Sequence, residues 1–335
     1  MSSRDDCTIG WICVENDQFS LGRRFFDEEY EVFETYNNRF IFGRIGNHSA
    51  VLAFQPEIFQ PGIDNATRLG EDLVKIFTNV RVCFLVGIGG GVPNQEHDIR
   101  LGDVLVGFSD GNTSSVIQFD YERTILDNTF TIREFLPPPP TLIQEAIHEL
   151  QTKYKSEDQR LQSLIGRNIQ FQLSSERVIT PPDPSADRLY ISSFAHAGDP
   201  YERCETACGD DESRLVPRSP RSKNAGTPTI HYGLIASGDS PIRDAEIRDQ
   251  LAAEKNILCF ETGASRFMID FPCLVIRGIC NYCDTHNSQI WSHYAAITAL
   301  AYAKDLLVIL EPNKVEAESK LSKVLYDGKR FDFPR

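Results

Sequence analysis

Residues 256–291 read NILCFETGASRFMIDFPCLVIRGICNYCDTHNSQIW, and their pattern decides the fold. Ile257 to Phe260 form a short apolar run, and Phe271 to Ile276 form a second that holds Val and Ile. Neither run alternates polar with apolar, as expected of strands buried on both faces. The segment between them fits a short helix. Both runs give way to small and polar residues, Glu261-Thr262-Gly263 and Arg277-Gly278-Ile279-Cys280-Asn281. In an open α/β sheet, ligands bind beyond the carboxyl ends of strands. A site is therefore expected where these two segments leave the sheet.

Working outward, residues 8–14 (TIGWICV) predict a first strand, and the acidic, aromatic stretch 16–38 predicts a helix and its loop. Phe40 to Gly46 and Ser49 to Phe54 predict a hairpin turned at Gly46-Asn47-His48. Leu69, Leu73, Ile76 and Phe77 recur at helical spacing within 66–77. Arg81 to Val86 predicts a buried strand that runs into a glycine loop, Gly87 to Gly91. Further strands are expected over 103–107 and 115–121. Four prolines at 137–140 must be extended and lead into a helix over 141–154. From about 156 to 229 the chain turns polar and Pro-rich, with too few apolar runs for a core of its own. This predicts an insertion, mobile around Gly198 to Thr227, on a single domain spanning 8–311. A strand from Ile230, a helix over 243–254 and a long apolar helix over 292–310 complete that domain. Residues 312–335 read as a peripheral tail. About six strands interleaved with helices predict an α/β three-layer fold with a central mixed β-sheet flanked by helices.

The 335 residues carry 34 Lys and Arg against 48 Asp and Glu, a net charge of −14. That balance argues against a nucleic-acid surface. No run of eighteen apolar residues predicts a membrane span, and the N-terminus lacks the basic-then-apolar order of a signal peptide. A cytoplasmic protein is expected. The nine cysteines fit that setting as reduced thiols, with Cys83, Cys259 and Cys273 inside apolar runs. Cys280-x-x-Cys283 has no second such pair, which leaves a zinc or redox reading weak. Cys204-x-x-x-Cys208 lies in a polar loop and reads as a bond or as nothing. The glycines at 87–91 let backbone N–H groups approach an anion or a sugar; a tight turn is the alternative. Pro93 and the polar stretch after it break a dinucleotide fingerprint. No Ser-His-Asp order, HExxH or Walker pattern is present, so the residues ask for no cofactor and no metal.

The segments CFETGASRFM, FPCLVIRGICNYCDTHNSQIW and YAAITALAYAK, with VGIGGG near residue 87 and GWIC near the start, resemble the nucleoside phosphorylase and nucleosidase superfamily. They are most similar to its fungal branch related to methylthioadenosine/adenosylhomocysteine nucleosidases. There the pattern runs roughly CFEMEAAGLM, then FPCLVIRGICDYADSHKN, then YAA-x-x-AAAYAK. The resemblance implies the phosphorylase/hydrolase fold, a homo-oligomer, a small-molecule ligand (a nucleoside or an aromatic metabolite) and cleavage of an N-glycosidic bond. It also implies roles for particular positions. An Asp in GICDY donates to the purine N7, a Glu in FEME holds the ribose, and a Glu after the first strand positions water. The glycine loop, with Gly89 and Gly90, lies against the ribose.

This chain departs at those positions. Asn281 stands at the Asp, Gly263 at the ribose-binding Glu with Thr262 before it, and Gln18 at the water-positioning Glu. Glu15 or Asp17 is the substitute if the register shifts. Asn cannot deliver a proton, though its NH₂ can donate a hydrogen bond. Gly263 removes a carboxylate that would accept charged hydrogen bonds worth roughly 1.5–3 kcal/mol each. Asp284 and His286 share the loop of Asn281, and His286 reads either as a titrating group or as a solvated loop histidine. Arg277 is a partner of a carboxylate or a ligand clamp, and Glu261 reads as a cap of its loop. Phe119, Tyr121 and Phe260 complete the candidate pocket, with core packing an equal reading for Phe119. The expectation is a purine nucleosidase, hydrolytic rather than phosphorolytic, and weakened by its substitutions. The alternatives are a relative repurposed for a non-nucleoside metabolite of secondary metabolism, or a non-catalytic binding or storage protein. The short tail after residue 311 favours a stand-alone role.

Overall fold

The computed structural model describes residues 3–13, 15–35, 38–54, 65–109, 114–123, 128–157, 159–170, 180–199, 202, 204–221, 227–268, 271–286 and 289–328. Its strands are β1 (Ile9–Cys13), β2 (Glu28–Glu34), β3 (Arg39–Ile45), β4 (His48–Phe54), β5 (Val82–Gly91), β6 (Val104–Gly107), β7 (Val116–Arg123), β8 (Asn128–Phe135), β9 (Ile230–Gly238), β10 (Ile257–Thr262) and β11 (Leu274–Asn281). Its α-helices are α1 (Asn16–Gly22), α2 (Asn65–Ile76), α3 (Thr141–Ser156), α4 (Arg160–Gln170), α5 (Cys204–Ala207), α6 (Ala245–Lys255), α7 (Ala264–Met268), α8 (Ser292–Ile309), α9 (Pro312–Ala317) and α10 (Leu321–Gly328).

The strands form one mixed sheet in the order β2-β3-β4-β1-β5-β11-β6-β9-β7-β8, and β10 bridges β9 to β5. That bridge closes β5, β11, β6, β9 and β10 into a ring. β5 makes it possible by pairing in two directions. Its first half runs parallel to β1, and Gly90 and Gly91 pair antiparallel with Phe260 and Cys259 of β10. The glycine run is thus strand, not the expected loop. Glycine is required there because neighbours crowd in: a Cβ on Gly89 would sit 2.7 Å from Cys259 Sγ, and one on Gly90 would collide with Cys283 Sγ.

Helices cover both faces. α8 is apolar almost all round, and Tyr294 through Leu307 are buried against β5, β6 and β11, as a helix without a polar face must be. Gly278 of β11 brings the two backbones together, since a Cβ there would overlap the Ala295 carbonyl. On the opposite face Leu69, Leu73 and Phe77 join Phe267 and Phe271 in a second core. The chain after residue 311 contributes Leu321 and Leu325 to that core. The three-layer α/β expectation holds. The strand number was underestimated, because β2 and β8 carry charged, largely exposed residues on edges of the sheet. Edge strands need little apolar signal and tolerate charge.

The segment after α3 docks through charge. Arg160 makes a two-pronged bond to buried Asp305 of α8 at 2.6 and 2.7 Å, and Tyr154 adds a third at 3.0 Å. Further on, Arg221 reaches back to Asp103, which also accepts from Thr229 N at 2.8 Å and faces His231 Nε2 at 3.0 Å. Within the stretch expected to be mobile, residues 200, 201, 203 and 222–226 lie outside the described residues.

Gly278→Ala is expected to cost about 3 kcal/mol or more, as overpacking against fixed backbone does. Gly166→Ala, in α4 with nothing within 4 Å of the added methyl, should stabilise by about 0.5–1 kcal/mol. Urea denaturation of the two variants checks the contrast, and a harmless Gly278→Ala would contradict the packing of α8 on β11.

Asp103 supplies a pH test. Burial alone would raise its pKa, but hydrogen bonds from Arg221 and His231, with their charges, outweigh burial and hold it below the ordinary value. Its stabilisation is therefore present above the unfolded value of about 3.9 and is lost as pH falls through the lower native value. Asp103→Asn should cost about 3 kcal/mol at pH 7 by stranding Arg221. The gap from wild type should narrow below pH of about 4. Equal slopes of stability against pH in that acid range would refute the assignment.

Candidate functional site

The three segments expected to line the site lie side by side. Arg277 of β11 pairs in register with Gly87, and Asn281 with Gly90. Phe260 of β10 pairs with Gly90 from the other side. β1, β5 and β11 run parallel, so Glu15, just beyond β1, and Asn281, at the tip of β11, sit at the same end of the sheet.

At the floor, Arg277 and Glu261 form an ion pair at 2.7 Å with both side chains only 1% exposed. Glu261 also accepts from Ala264 N at 3.2 Å. It thus ties β10 to the start of α7, the capping role its place in the sequence suggested. The guanidinium passes across Gly87, where a Cβ would lie 2.8 Å from Arg277 Nη1 and 3.0 Å from Gln18 Oε1. Of the two readings of Arg277, carboxylate partner or ligand clamp, the geometry shows the first. Thr262 and Gly263 turn the chain from β10 into α7. Gly263 has φ +104°, a left-handed conformation in which a Glu would cost about 1–2 kcal/mol. A glutamate at position 263 would therefore meet a backbone penalty.

Gln18 is buried at the first turn of α1, and its Oε1 has no partner among the described residues. Arg277 Nε and Ser265 Oγ are likewise buried and unpartnered. Such atoms cost about 1–3 kcal/mol each unless a water or ligand meets them. Glu15 precedes α1 and keeps one side in solvent. Burial of the other side raises its pKa, against the opposing charge of Arg277 and a hydrogen bond from Gln18. Asp17 points elsewhere: it is 69% exposed and lies 3.5 Å from His293 Nε2. The structure gathers Glu15, Gln18, Arg277 and Glu261, and leaves Asp17 outside.

On the far side of the glycine run, Asn281 Oδ1 accepts from Cys283 N at 2.9 Å, and its Nδ2 donates toward Cys280 Sγ at 3.4 Å. This fixes the amide with its NH₂ turned from the loop backbone. Asp284 is buried and accepts from His286 N at 2.9 Å; burial raises its pKa, with His286 and Arg248 opposing. His286 is buried as well, not solvated, and both ring nitrogens are engaged away from the candidate pocket. Nε2 faces the Phe194 carbonyl at 2.9 Å, and Nδ1 faces the thiols of Cys204 and Cys208. Its expected substrate contact is therefore corrected. Phe119 is buried edge-on to Phe260, ring centroids 5.7 Å apart, and lies over Gly238. The side chain of Tyr121 lies outside the described residues.

Sequence reasoning missed Ser237 and Ser265. Ser237 Oγ accepts from Ser265 N at 2.8 Å, deep beside Glu261. The available signal was the small polar residues ending β9, the same rule applied to β10 and β11. Two clefts lie apart from these residues. One of about 530 Å³ is bounded by Arg100, Asp103, Arg221, Trp291 and Tyr294, and one of about 830 Å³ by His97, Lys155 and Tyr232.

The fold is similar to that of solved nucleosidases. The 5'-methylthioadenosine/S-adenosylhomocysteine nucleosidase of Neisseria meningitidis, solved with methylthio-immucillin-A, matches 90% of this chain and 98% of its own, with TM-score 0.53 and 13% identity. The futalosine hydrolase of Helicobacter pylori matches 91% of this chain and 99% of its own, with TM-score 0.50 and 15% identity. At these identities the likeness is one of fold. A nucleotide-binding leucine-rich repeat (NLR)-like protein of Hyaloscypha variabilis is 33% identical over 317 residues, 93% of this chain. The chain spans 30% of that relative's length. No protein-family model matches. No single helix among the described residues is long and apolar enough to cross a membrane.

Arg277→Met alone should cost about 3–5 kcal/mol, because Glu261 is left buried and charged. Adding Glu261→Gln, which keeps an acceptor for Ala264 N, should recover at least about 1 kcal/mol of that. Denaturant midpoints of the two singles and the double check this, and strict additivity would show that the pair is not coupled.

Proposed function

We propose that this chain hydrolyses the N-glycosidic bond of a purine nucleoside, slowly and without phosphate. The observation that carries this reading is the half-desolvated Glu15 carboxyl beside Gln18 and Arg277, at the same sheet end as Asn281. A carboxylate with a raised pKa is suited to general base catalysis. Glu15 takes a proton from water as the water oxygen attacks the anomeric carbon, and Gln18 orients that water or the carboxylate. Asn281, its Oδ1 held by Cys283 N, donates from its NH₂ to the purine N7. The departing base takes its proton from solvent, which slows the step. Arg277 pairs through Nη2 with Glu261, so its charge is already balanced by a carboxylate, which favours water over phosphate as the nucleophile. Asp284, which accepts from His286 N, supports the loop. The same reading makes the protein cytoplasmic and homo-oligomeric.

A second reading, a module that binds a small ligand without turning it over, is favoured by one observation. Gly263 has no side chain to anchor ribose, and its φ of +104° opposes restoring one. A stand-alone role and a role within a longer protein resembling the NLR-like relative are both compatible with either reading.

Free base is to be measured by chromatography over a panel of purine nucleosides, including 5'-methylthioadenosine, with and without phosphate. Slow, phosphate-independent release is expected. Glu15→Gln should lower it by about 10²-fold or more. It should not lower the thermal midpoint at pH 7. The sign follows from the raised native pKa: the ionised carboxyl is disfavoured in the folded state above its unfolded value, so removing the charge relieves that cost. No release from any nucleoside, with a ligand-induced rise in the melting temperature, would establish the binding reading instead.

A further inference from the structure

His196, Cys204, Cys208 and His286 bring one ligand atom each to within 4.8 Å of one another. We propose that these four side chains form a closed structural zinc site that fastens the 190–208 segment to the loop carrying Asn281 and Asp284. The distances fit a tetrahedron. With Zn–S of about 2.3 Å and Zn–N of about 2.0–2.1 Å at tetrahedral angles, sulfur and nitrogen ligands stand about 3.6 Å apart. His196 Nδ1 lies 3.4 Å from Cys204 Sγ and 3.3 Å from Cys208 Sγ. His286 Nδ1 lies 3.7 and 3.5 Å from the same two sulfurs.

The orientation of the imidazoles is the second, independent observation. His286 Nε2 faces the Phe194 carbonyl at 2.9 Å, and His196 Nε2 faces the Asp199 carbonyl at 3.0 Å. A carbonyl can only accept, so each Nε2 carries the proton and each Nδ1 presents its lone pair to the thiols. This outer hydrogen bond is the usual support of a metal-bound histidine. Tyr190 stacks on His286 at 3.7 Å and holds the ring plane. Cys204 and Cys208 are one helical turn apart, through α5 and the bond from Cys208 N to Cys204 O at 2.8 Å, which turns both sulfurs to one side.

Two thiolates and two imidazoles in a tetrahedron select zinc among abundant ions. On zinc entry both thiols release their protons to solvent, and the two thiolates neutralise the ion. Four protein ligands leave no open position, so the ion serves structure and not chemistry. The site had been invisible because His286 stands 78 residues from Cys208, far outside any short ligand spacing.

The test uses the full chain, purified without a histidine tag from zinc-supplemented cells. Elemental analysis after dialysis is expected to give about one zinc per chain. Replacement by Co²⁺ should give the intense visible bands of tetrahedral cobalt and a thiolate charge-transfer band. Cys204→Ser/Cys208→Ser should reduce bound zinc at least about tenfold, while Cys7→Ser, whose buried thiol is elsewhere, should retain it. Wild-type protein that is metal-free and gives no cobalt spectrum would overturn the proposal, as would a Cys204–Cys208 disulfide by mass spectrometry after anaerobic purification, or a double variant that keeps its zinc. If the double variant does not fold, wild-type stoichiometry and the cobalt spectrum still decide.

Discussion

The constraint on which the site depends is the buried pair of Arg277 and Glu261. Two charges with 1% exposure are tolerable only with each other and with further hydrogen bonds. Glu261 meets both conditions by also accepting from Ala264 N. Glu261 thereby joins β10 to the start of α7 across the turn where Gly263 takes φ +104°. It also fixes the height of the guanidinium over β5. Gly87 is glycine because the guanidinium and Gln18 occupy the space a side chain would fill. The guanidinium and Gln18 thus share the space above Gly87.

Ring closure follows from the same crowding. β5 pairs with β11 and β10 along its second half, where glycine stands at 87, 89, 90 and 91 and Ile88 is the one side chain. The glycines at 89, 90 and 91 allow Cys259, Cys283 and Ile279 to approach its backbone. Glycines at the end of a strand can leave backbone open to a ligand. Here protein atoms already use that access, and the open polar positions lie instead around Gln18, Arg277 Nε and Ser265.

Buried strands were legible because their residues are apolar on both faces: β1, β5, β10 and β11 stood out from hydrophobicity alone. The hairpin was legible from Gly46, which adopts φ +58° at its turn. β2 was not, because Glu28, Glu29, Glu31 and Glu34 carry the polarity of a loop while pairing along an edge. The segments of the site were legible from the rule that strands end in small polar residues. Partner choice within the site was not. Whether Glu15 or Asp17 turns toward Arg277 depends on how the chain enters α1 after β1, and the two carboxyls, only two residues apart, end with one beside Gln18 and the other beside His293. His286 illustrates the same limit, since its partners come from a segment about eighty residues earlier.

The candidate loop 281–286 is held from two directions, and this bears on its chemistry. From within, Asn281 and Asp284 spend acceptor capacity on Cys283 N and His286 N, which makes the loop a rigid turn with Cys283 at φ +55°. From outside, Thr285 accepts from His196 N at 2.8 Å, Arg248 donates to the Tyr282 carbonyl at 2.7 Å, and Arg218 donates to the Tyr282 hydroxyl at 2.9 Å. In the proposed hydrolysis, an amide that cannot release a proton would gain most from being held still, because it would offer only a hydrogen bond whose strength falls steeply with misalignment. A loop so braced favours orientation over proton delivery. The segment that carries His196 and Arg218 therefore braces the turn in which Asn281 stands.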